Sequence, residues 1–200
     1  MAAISASLKG LKTDMNIDPI IYNGAPENLE GRDIIETNCY DFLARLCVPF
    51  ERVDHSPADT IEKCIEIEKI IGVGICKNLF LCNRQKTEFY LLMMDGRKQF
   101  RTSEVSKKLG VSRLSFASAE DMERLLGVTP GSVSVLGLMN DTGRKVSLVI
   151  DKDVISKDYV RCHPCRNTST LKIKTTDLLG KILPALHRNP KVISIEEGIL

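Results

Sequence analysis

Ile75-Cys76-Lys77-Asn78-Leu79-Phe80-Leu81-Cys82 is a short apolar run that follows the chain breakers Gly72 and Gly74. It reads as a largely buried strand. The two-residue period of a strand sets Lys77, Leu79 and Leu81 on one face and Asn78, Phe80 and Cys82 on the other. An ammonium inside such a run is costly to bury unless it is paired, reaches water or serves a polar site. Two readings of Lys77 follow: a strand-end lysine that snorkels to solvent, or a functional cation.

Working outward, Glu88 to Met94 is a second apolar strand. The polar stretch Asn83-Arg-Gln-Lys-Thr87 between the two predicts a hairpin with a five-residue loop. Upstream, Ile35, Cys39, Phe42, Leu43 and Leu46 recur at helical spacing, which predicts an amphipathic helix over about 33–47. A short strand at Phe50–His55 and a helix from about 60 to 71 follow. Downstream, Thr102–Leu109 reads as a helix closed by Gly110. Ser118 with Asp121 resembles a capping box for a helix ending before Gly127. Val133–Met139 and Lys145–Ile150, flanking Asn140-Asp-Thr-Gly143, predict another hairpin. Thr168–Lys174 alternates as a strand, Thr176 or Asp177 caps a last helix, and Lys191–Ile195 reads as a final strand. Strands joined by hairpins with helices scattered between them define an α+β class with a mainly antiparallel or mixed sheet. Residues 1–30 show no sustained periodicity and are expected to form an irregular arm; residues 31–200 form one domain.

Two hundred residues suffice for one sizeable core. A net charge of +2 excludes a wholly polycationic protein but permits a local basic face. No run of about twenty apolar residues is present, so no membrane partner is expected. The N-terminal residues lack a secretory pattern, which with seven cysteines predicts reduced thiols in a cytoplasmic protein.

Three motifs could carry chemistry. Cys162-His163-Pro164-Cys165 fits a redox pair, half of a zinc site, or a loop histidine with packed cysteines. The redox motif should open a helix, whereas a loop follows here. A zinc site needs about four ligands, and no second Cys-x-x-Cys or His pair is available. Pro130-Gly131-Ser132-Val133-Ser134 is either a plain turn into a strand or a loop whose backbone approaches a small polar ligand. No phosphate-binding glycine loop, nucleophile elbow or metalloprotease helix occurs.

The ordered set Lys77-Asn78-Leu79-Phe80-Leu81, Ser112-Arg113-Leu114-Ser115-Phe116-Ala117, Pro130-Gly131-Ser132-Val133-Ser134 with Gly137-Leu138, Asn140-Asp141, and Cys162-His163-Pro164 with Asn167-Thr168 resembles the YbaK/prolyl-tRNA-synthetase-associated editing domains. It is most similar to the free-standing alanyl-tRNA(Pro) deacylases, and the match runs from about Ile34 to Ile195. The resemblance implies a mixed, curved, partly barrel-like sheet with surrounding helices. It implies hydrolysis of the ester of a mischarged tRNA(Pro), alanyl-tRNA(Pro) first, with no metal and no cofactor. The acceptor end of that tRNA is the implied partner, with prolyl-tRNA synthetase as a second. Lys77, Gly131 and His163 are the implied catalytic residues; Asn78, Arg113, Ser132, Val133 and Ser134 are implied to bind substrate. The loop matching Gly131 to position 135 is implied to orient the aminoacyl group and a water through its backbone. Position 135 is Val where the family pattern has Pro. The competing reading is a non-catalytic module of the same fold that binds tRNA or a synthetase. An activated ester demands little nucleophilic power, so positioning a water and stabilising the developing oxyanion can suffice.

Overall fold

Apolar runs with a two-residue period build two open sheets here, packed face to face around a shared core. The computed structural model describes residues 16–58 and 61–196. Strand β1 (Tyr22–Asn23) precedes helix α1 (Ile34–Arg45), which starts where the Asp33 carboxylate accepts from Ile35 N–H. Strand β2 (Phe50–Asp54), helix α2 (Ile61–Ile71), strands β3 (Cys76–Cys82) and β4 (Phe89–Asp95), and helix α3 (Thr102–Leu109) follow. Gly110 ends α3 at φ +73°, the left-handed stop its position predicts. Next come β5 (Ser115–Phe116) and α4 (Ala119–Leu126), whose N-cap Ser118 accepts from Asp121 N–H. Strand β6 (Val146–Asp151), helix α5 (Lys152–Ile155), and strands β7 (Tyr159–Cys162) and β8 (Ser169–Lys174) complete the sheets except for one edge. A last helical stretch runs through α6 (Thr175–Asp177), a π turn at Leu178–Ile182 and α7 (Leu183–Ala185). Strand β9 (Lys191–Ile193) closes the list.

One sheet is antiparallel, in the order β1-β2-β8-β7; the other is mixed, in the order β5-β3-β4-β6-β9. The β3–β4 hairpin pairs Cys82 with Phe89, as the sequence predicts, while β4–β6 and β6–β9 are parallel. The alternation within β3 is real. Phe80 and Cys82 join Leu91, Met93, Leu148 and Ile150 in the core between the sheets, where Phe50, Val160 and Leu171 meet them. Leu81 points the other way and packs with Leu92, Val149 and the α3 residues Val105 and Leu109. Burial of both faces explains why β3, β4 and β6 read as nearly continuous apolar runs. Helix α2 covers the outer face of the antiparallel sheet through Ile67 and Ile71 on Val53.

The expected hairpin over Val133–Ile150 does not form. Val135–Met139 is a 3₁₀ turn, with the Ser134 hydroxyl accepting from Leu136 N–H at 3.2 Å. Val135, Leu136, Gly137 and Leu138 are all buried, so their shared apolarity reflects burial on every side and not one face of a strand. The Asp141 carboxylate then accepts from Lys145 and Val146 N–H and pairs with Arg188 at 2.9 Å, fixing the turn into β6. Of the N-terminal stretch expected to be irregular, residues 1–15 lie outside the described residues. Tyr22–Asn23 adds a strand to β2, and Ile17 bridges to His55.

The turn after β4 is tight. Gly96 N–H donates to Ile75 O at 2.7 Å, and a Cβ at Gly96 would stand 2.5 Å from the Ile75 side chain. Gly96→Ala is therefore expected to destabilise the fold by about 1–3 kcal/mol, the usual cost of overpacking. Thermal melting checks this: an unchanged melting temperature would contradict the crowding at Ile75.

Candidate functional site

The start of β3, the turn at Gly96, the loop before the 3₁₀ turn and the loop between β7 and β8 converge on a cavity of about 250 Å³. Lys77 and Asn78 line one side, Gly131 and Val133 a second, and His163 a third, with Cys76 and Gly96 beside them. A larger cavity of about 550 Å³ lies beyond His55 and is lined by Arg32, Asp33, Asp54 and Arg166. Its charges satisfy one another: Arg32 pairs with Glu36 and Asp54, and Arg166 with Asp33 at 2.9 Å. The smaller cavity instead presents groups still available to a ligand, and we assign the site there.

The Lys77 ammonium donates to Lys98 O at 2.9 Å, and no carboxylate among the described residues pairs with it. Its partner is immobile. Lys98 is buried, with Nζ 2.8 Å from Asp151, 2.6 Å from Asp153 and 2.6 Å from Ile195 O. Asn78 Oδ1 is buried and accepts no hydrogen bond from any described residue. A buried acceptor left unpaired costs about 1–3 kcal/mol, so this oxygen is poised for a donor brought by a ligand.

Gly131 takes φ +85°, and a Cβ there would press on the Asn167 amide at 3.3 Å, so this loop sits close against the β7–β8 loop. Ser132 and Ser134 are buried away from the cavity. Ser132 N–H donates to Thr129 O at 2.9 Å, and the Ser134 hydroxyl donates to His163 O at 2.6 Å. Ser134 therefore ties the Gly131 loop to the histidine loop and supplies stiffness that a proline at position 135 would otherwise give. Val135 itself is buried in the core.

His163 Nδ1 lies 2.7 Å from Ser169 O. A carbonyl only accepts, so Nδ1 carries the proton and Nε2 is the acceptor of the neutral ring. Ser169 is held in turn, its hydroxyl donating to Asp54, which Arg32 and Arg52 neutralise. Burial lowers the His163 pKa to about 4, and the neighbouring His55 and Arg161 add to the shift. The His55 and His163 rings meet edge to face at 6.1 Å. His163 is thus a neutral imidazole near pH 7.

Arg113 is not brought to this cavity. It is exposed, two residues before β5, which pairs with Leu81 and Cys82 at the far end of β3. At ~3.3 Å per residue, Cys82 is ~16 Å along the strand from Lys77.

The Cys162-x-x-Cys165 pair is buried and opens no helix. Burial drives the Cys162 thiol well above its ordinary range, and Cys76 to about 12. The Cys39 thiol rises through its hydrogen bond with Cys165 and through burial. Thiols held protonated in this way are poor nucleophiles and poor metal ligands.

Sequence reasoning missed Arg161. This residue is 5% exposed, and its one hydrogen bond among the described residues runs from Nη1 to Cys64 O at 3.1 Å, with no carboxylate in ion-pair contact. Two residues before His163, it sits on the same face of the chain. The available signal was an arginine between two apolar strand positions, Val160 and Cys162.

Fold and cavity define a class: an α+β domain with a small, semi-polar site built from backbone, one lysine, one amide and a neutral histidine. The family model for the aminoacyl-tRNA editing domain matches residues 55–180, which contain every residue of that cavity, and the chain belongs to this family. It is similar to the prolyl-tRNA editing protein ProX of Acetoanaerobium sticklandii, 32% identical over 153 residues, 76% of this chain and 93% of that protein. Prolyl-tRNA synthetase associated domain-containing protein 1 of Danio rerio is 29% identical over 159 residues, 78% and 85% of the two chains. A solved structure described as a candidate trans-editing enzyme for prolyl tRNA synthetase shares the fold. Its TM-score is 0.61 at 16% identity, covering 83% of this chain and 99% of that one.

The low His163 pKa has two measurable consequences. Arg161→Met removes a cation and should raise it, with Arg161→Lys keeping it low, as followed by NMR of the imidazole; an unchanged value in Arg161→Met would uncouple the two residues. The folded value also lies below the ~6.5 of an unfolded histidine. The unfolded chain therefore binds more protons between those values, and stability should fall as pH drops from about 6.5 toward 4. Urea unfolding of wild type and His163→Gln across that window should show a shallower loss in the variant.

Proposed function

We propose that the protein is a trans-acting deacylase that hydrolyses the aminoacyl ester of mischarged tRNA(Pro), with alanine the preferred amino acid. The observation that carries this reading is the convergence of Lys77, Asn78, Gly131 and His163 on one small cavity inside the family's matched span. ProX is by name a prolyl-tRNA editing protein, which supports the same substrate class. In the reaction, water adds to the ester carbonyl carbon. The bond to the ribose oxygen breaks, the ribose hydroxyl leaves with a proton, and the free amino acid departs.

The residues divide this work. Lys77 offers a point charge to the terminal phosphate or ribose. Asn78 Oδ1 accepts from the substrate's α-ammonium group. Backbone at Gly131 and Val133 orients the acyl carbonyl and the water, and Ser132 and Ser134 hold that loop in place. His163 Nε2 accepts a hydrogen bond from the water or a ribose hydroxyl. With a pKa near 4 it is a weak base, so it positions more than it abstracts. Arg113 meets the phosphates outside the cavity. One editing domain spans residues 31–200, with the acceptor end of tRNA(Pro) and prolyl-tRNA synthetase as cytoplasmic partners.

The test is incubation with tRNA(Pro) charged separately with alanine, cysteine, serine and proline. Alanyl-tRNA(Pro) should be cleaved far faster than prolyl-tRNA(Pro). Well-folded protein that cleaves none of them above the buffer rate would leave a non-catalytic binding module as the answer. Lys77→Ala should lower the single-turnover rate about a hundredfold, the scale seen when an electrostatic contact to the reacting group is lost. Its melting temperature should move little, because its one hydrogen bond, part-buried, is worth about 1 kcal/mol. Wild-type turnover with a lower melting temperature would make Lys77 a snorkelling structural residue.

A further inference from the structure

The turn that borders the cavity continues into a second feature. Gly96 lines the cavity, Lys98 holds Lys77 through its carbonyl, and two residues later Phe100 meets Phe116 with ring centroids 5.3 Å apart. Phe100 is partly buried against the α3 cluster, whereas Phe116 on the edge strand β5 is 59% exposed. Phe116 stands opposite Leu81, and residues paired across strands share a face. The exposed ring therefore lies on the face of β3 that carries Lys77 and Leu79. From Leu81 to Lys77 is ~13 Å at ~3.3 Å per residue.

The two segments that carry these rings hold cations only. Residues 97–103 (Arg-Lys-Gln-Phe-Arg-Thr-Ser) and 111–118 (Val-Ser-Arg-Leu-Ser-Phe-Ala-Ser) contain no Asp or Glu. Lys98 is buried and neutralised, but Arg97, Arg101 and Arg113 are exposed. Arg101 donates to Gln99, and Arg113 has no hydrogen bond or ion pair among the described residues. Arg97 approaches Asp95 at 3.4 Å, a carboxylate that Lys157 already holds at 2.5 Å. An exposed aromatic ring on segments that also carry exposed guanidinium groups, Arg101 and Arg113 without a carboxylate partner among the described residues, fits a single-stranded polyanion with flat bases, whose bases stack while its phosphates meet the cations. An apolar protein patch would leave these cations unanswered.

We propose that Phe116, backed by Phe100, is a stacking platform for a base of the substrate's single-stranded 3′ end, with Arg101 and Arg113 against the flanking phosphates. This rests on the deacylase reading, because the ester enters the cavity only at the end of that strand. The ~13 Å from platform to Lys77 equals about four nucleotides at the ~3.4 Å rise of a stacked strand.

The experiment compares two alanyl esters, alanyl-tRNA(Pro) and the mononucleoside ester alanyl-adenosine, and adds anisotropy binding of an uncharged oligoribonucleotide with the same 3′ sequence. Phe116→Ala should lower the ratio of kcat/KM for the tRNA to that for the nucleoside about tenfold, within the range for one base on one ring. Phe116→Tyr should restore the ratio. Arg101→Ala with Arg113→Ala should flatten the salt dependence of oligonucleotide binding. An unchanged ratio, an equal loss on both esters, or a dimer that Phe116→Ala dissolves would overturn the platform. If wild type cleaves neither ester but binds the oligonucleotide in a Phe116-dependent way, the platform stands and the deacylase reading falls.

Discussion

A single buried ammonium organises the working end of this molecule. Lys98 is 4% exposed, in a turn that follows β4, yet its Nζ reaches Asp151 at the end of β6, Asp153 in α5 and the carbonyl of Ile195 beyond β9. Burial by itself would lower its pKa, but the hydrogen bonds to Asp151 and Asp153 outweigh that and hold it charged. Breaking such a buried pair costs about 3–5 kcal/mol, since the remaining charge has no water to turn to. Three segments distant in sequence are thereby locked together. The carbonyl of this same residue receives the Lys77 ammonium, so the position of the site's cation is inherited from an interaction that no ligand touches.

The other half of the cavity is fixed by a comparable device on the antiparallel sheet. Asp54 lies between Arg32 and Arg52 and accepts from the Ser169 hydroxyl, and Ser169 O in turn defines which nitrogen of His163 carries the proton. Ser134 reaches across to His163 O and brings the Gly131 loop into the same frame. The geometry of the cavity is then set by hydrogen bonds made within the protein, the arrangement that preorganised sites rely on. Val135 at the family's proline position fits this picture. Chain stiffness at the loop comes from the Ser134 bond and from burial of the 3₁₀ turn.

Two features of the site go against the usual balance of a protein interior. Asn78 Oδ1 is buried without a donor, and Arg161 is buried with one carbonyl partner. The unpaired Asn78 oxygen carries a free-energy penalty, and burial lowers the pKa of the Arg161 guanidinium. Burial is the main reason His163 is neutral, and Arg161 adds a smaller push in the same direction. Asn78 reserves an acceptor for a donor from outside.

Local pattern alone determined much of the architecture. The two-residue period of Cys76–Cys82, the helical spacing from Ile35 to Leu46, the Ser118 cap and the Gly110 stop each depend on neighbours close in sequence, and each matches the structure. The α+β class follows from them, and Lys77, Asn78, Gly131, Val133 and His163 were legible as motif residues. Tertiary contacts decided the rest. Whether the apolar stretch Val135–Met139 becomes strand or 3₁₀ turn depends on the Ser134 cap and on burial from all sides, and apolar composition reads alike in both. The parallel pairing of β6 with β4 and with β9 is a choice among distant partners that no local period encodes. Arg113 and Lys77 belong to one motif set, yet β5 pairs at the opposite end of β3 and separates them. The protonation of His163 and the lowered pKa of Arg161 depend on burial and on charges brought together by folding, because electrostatics act through space and not along the chain.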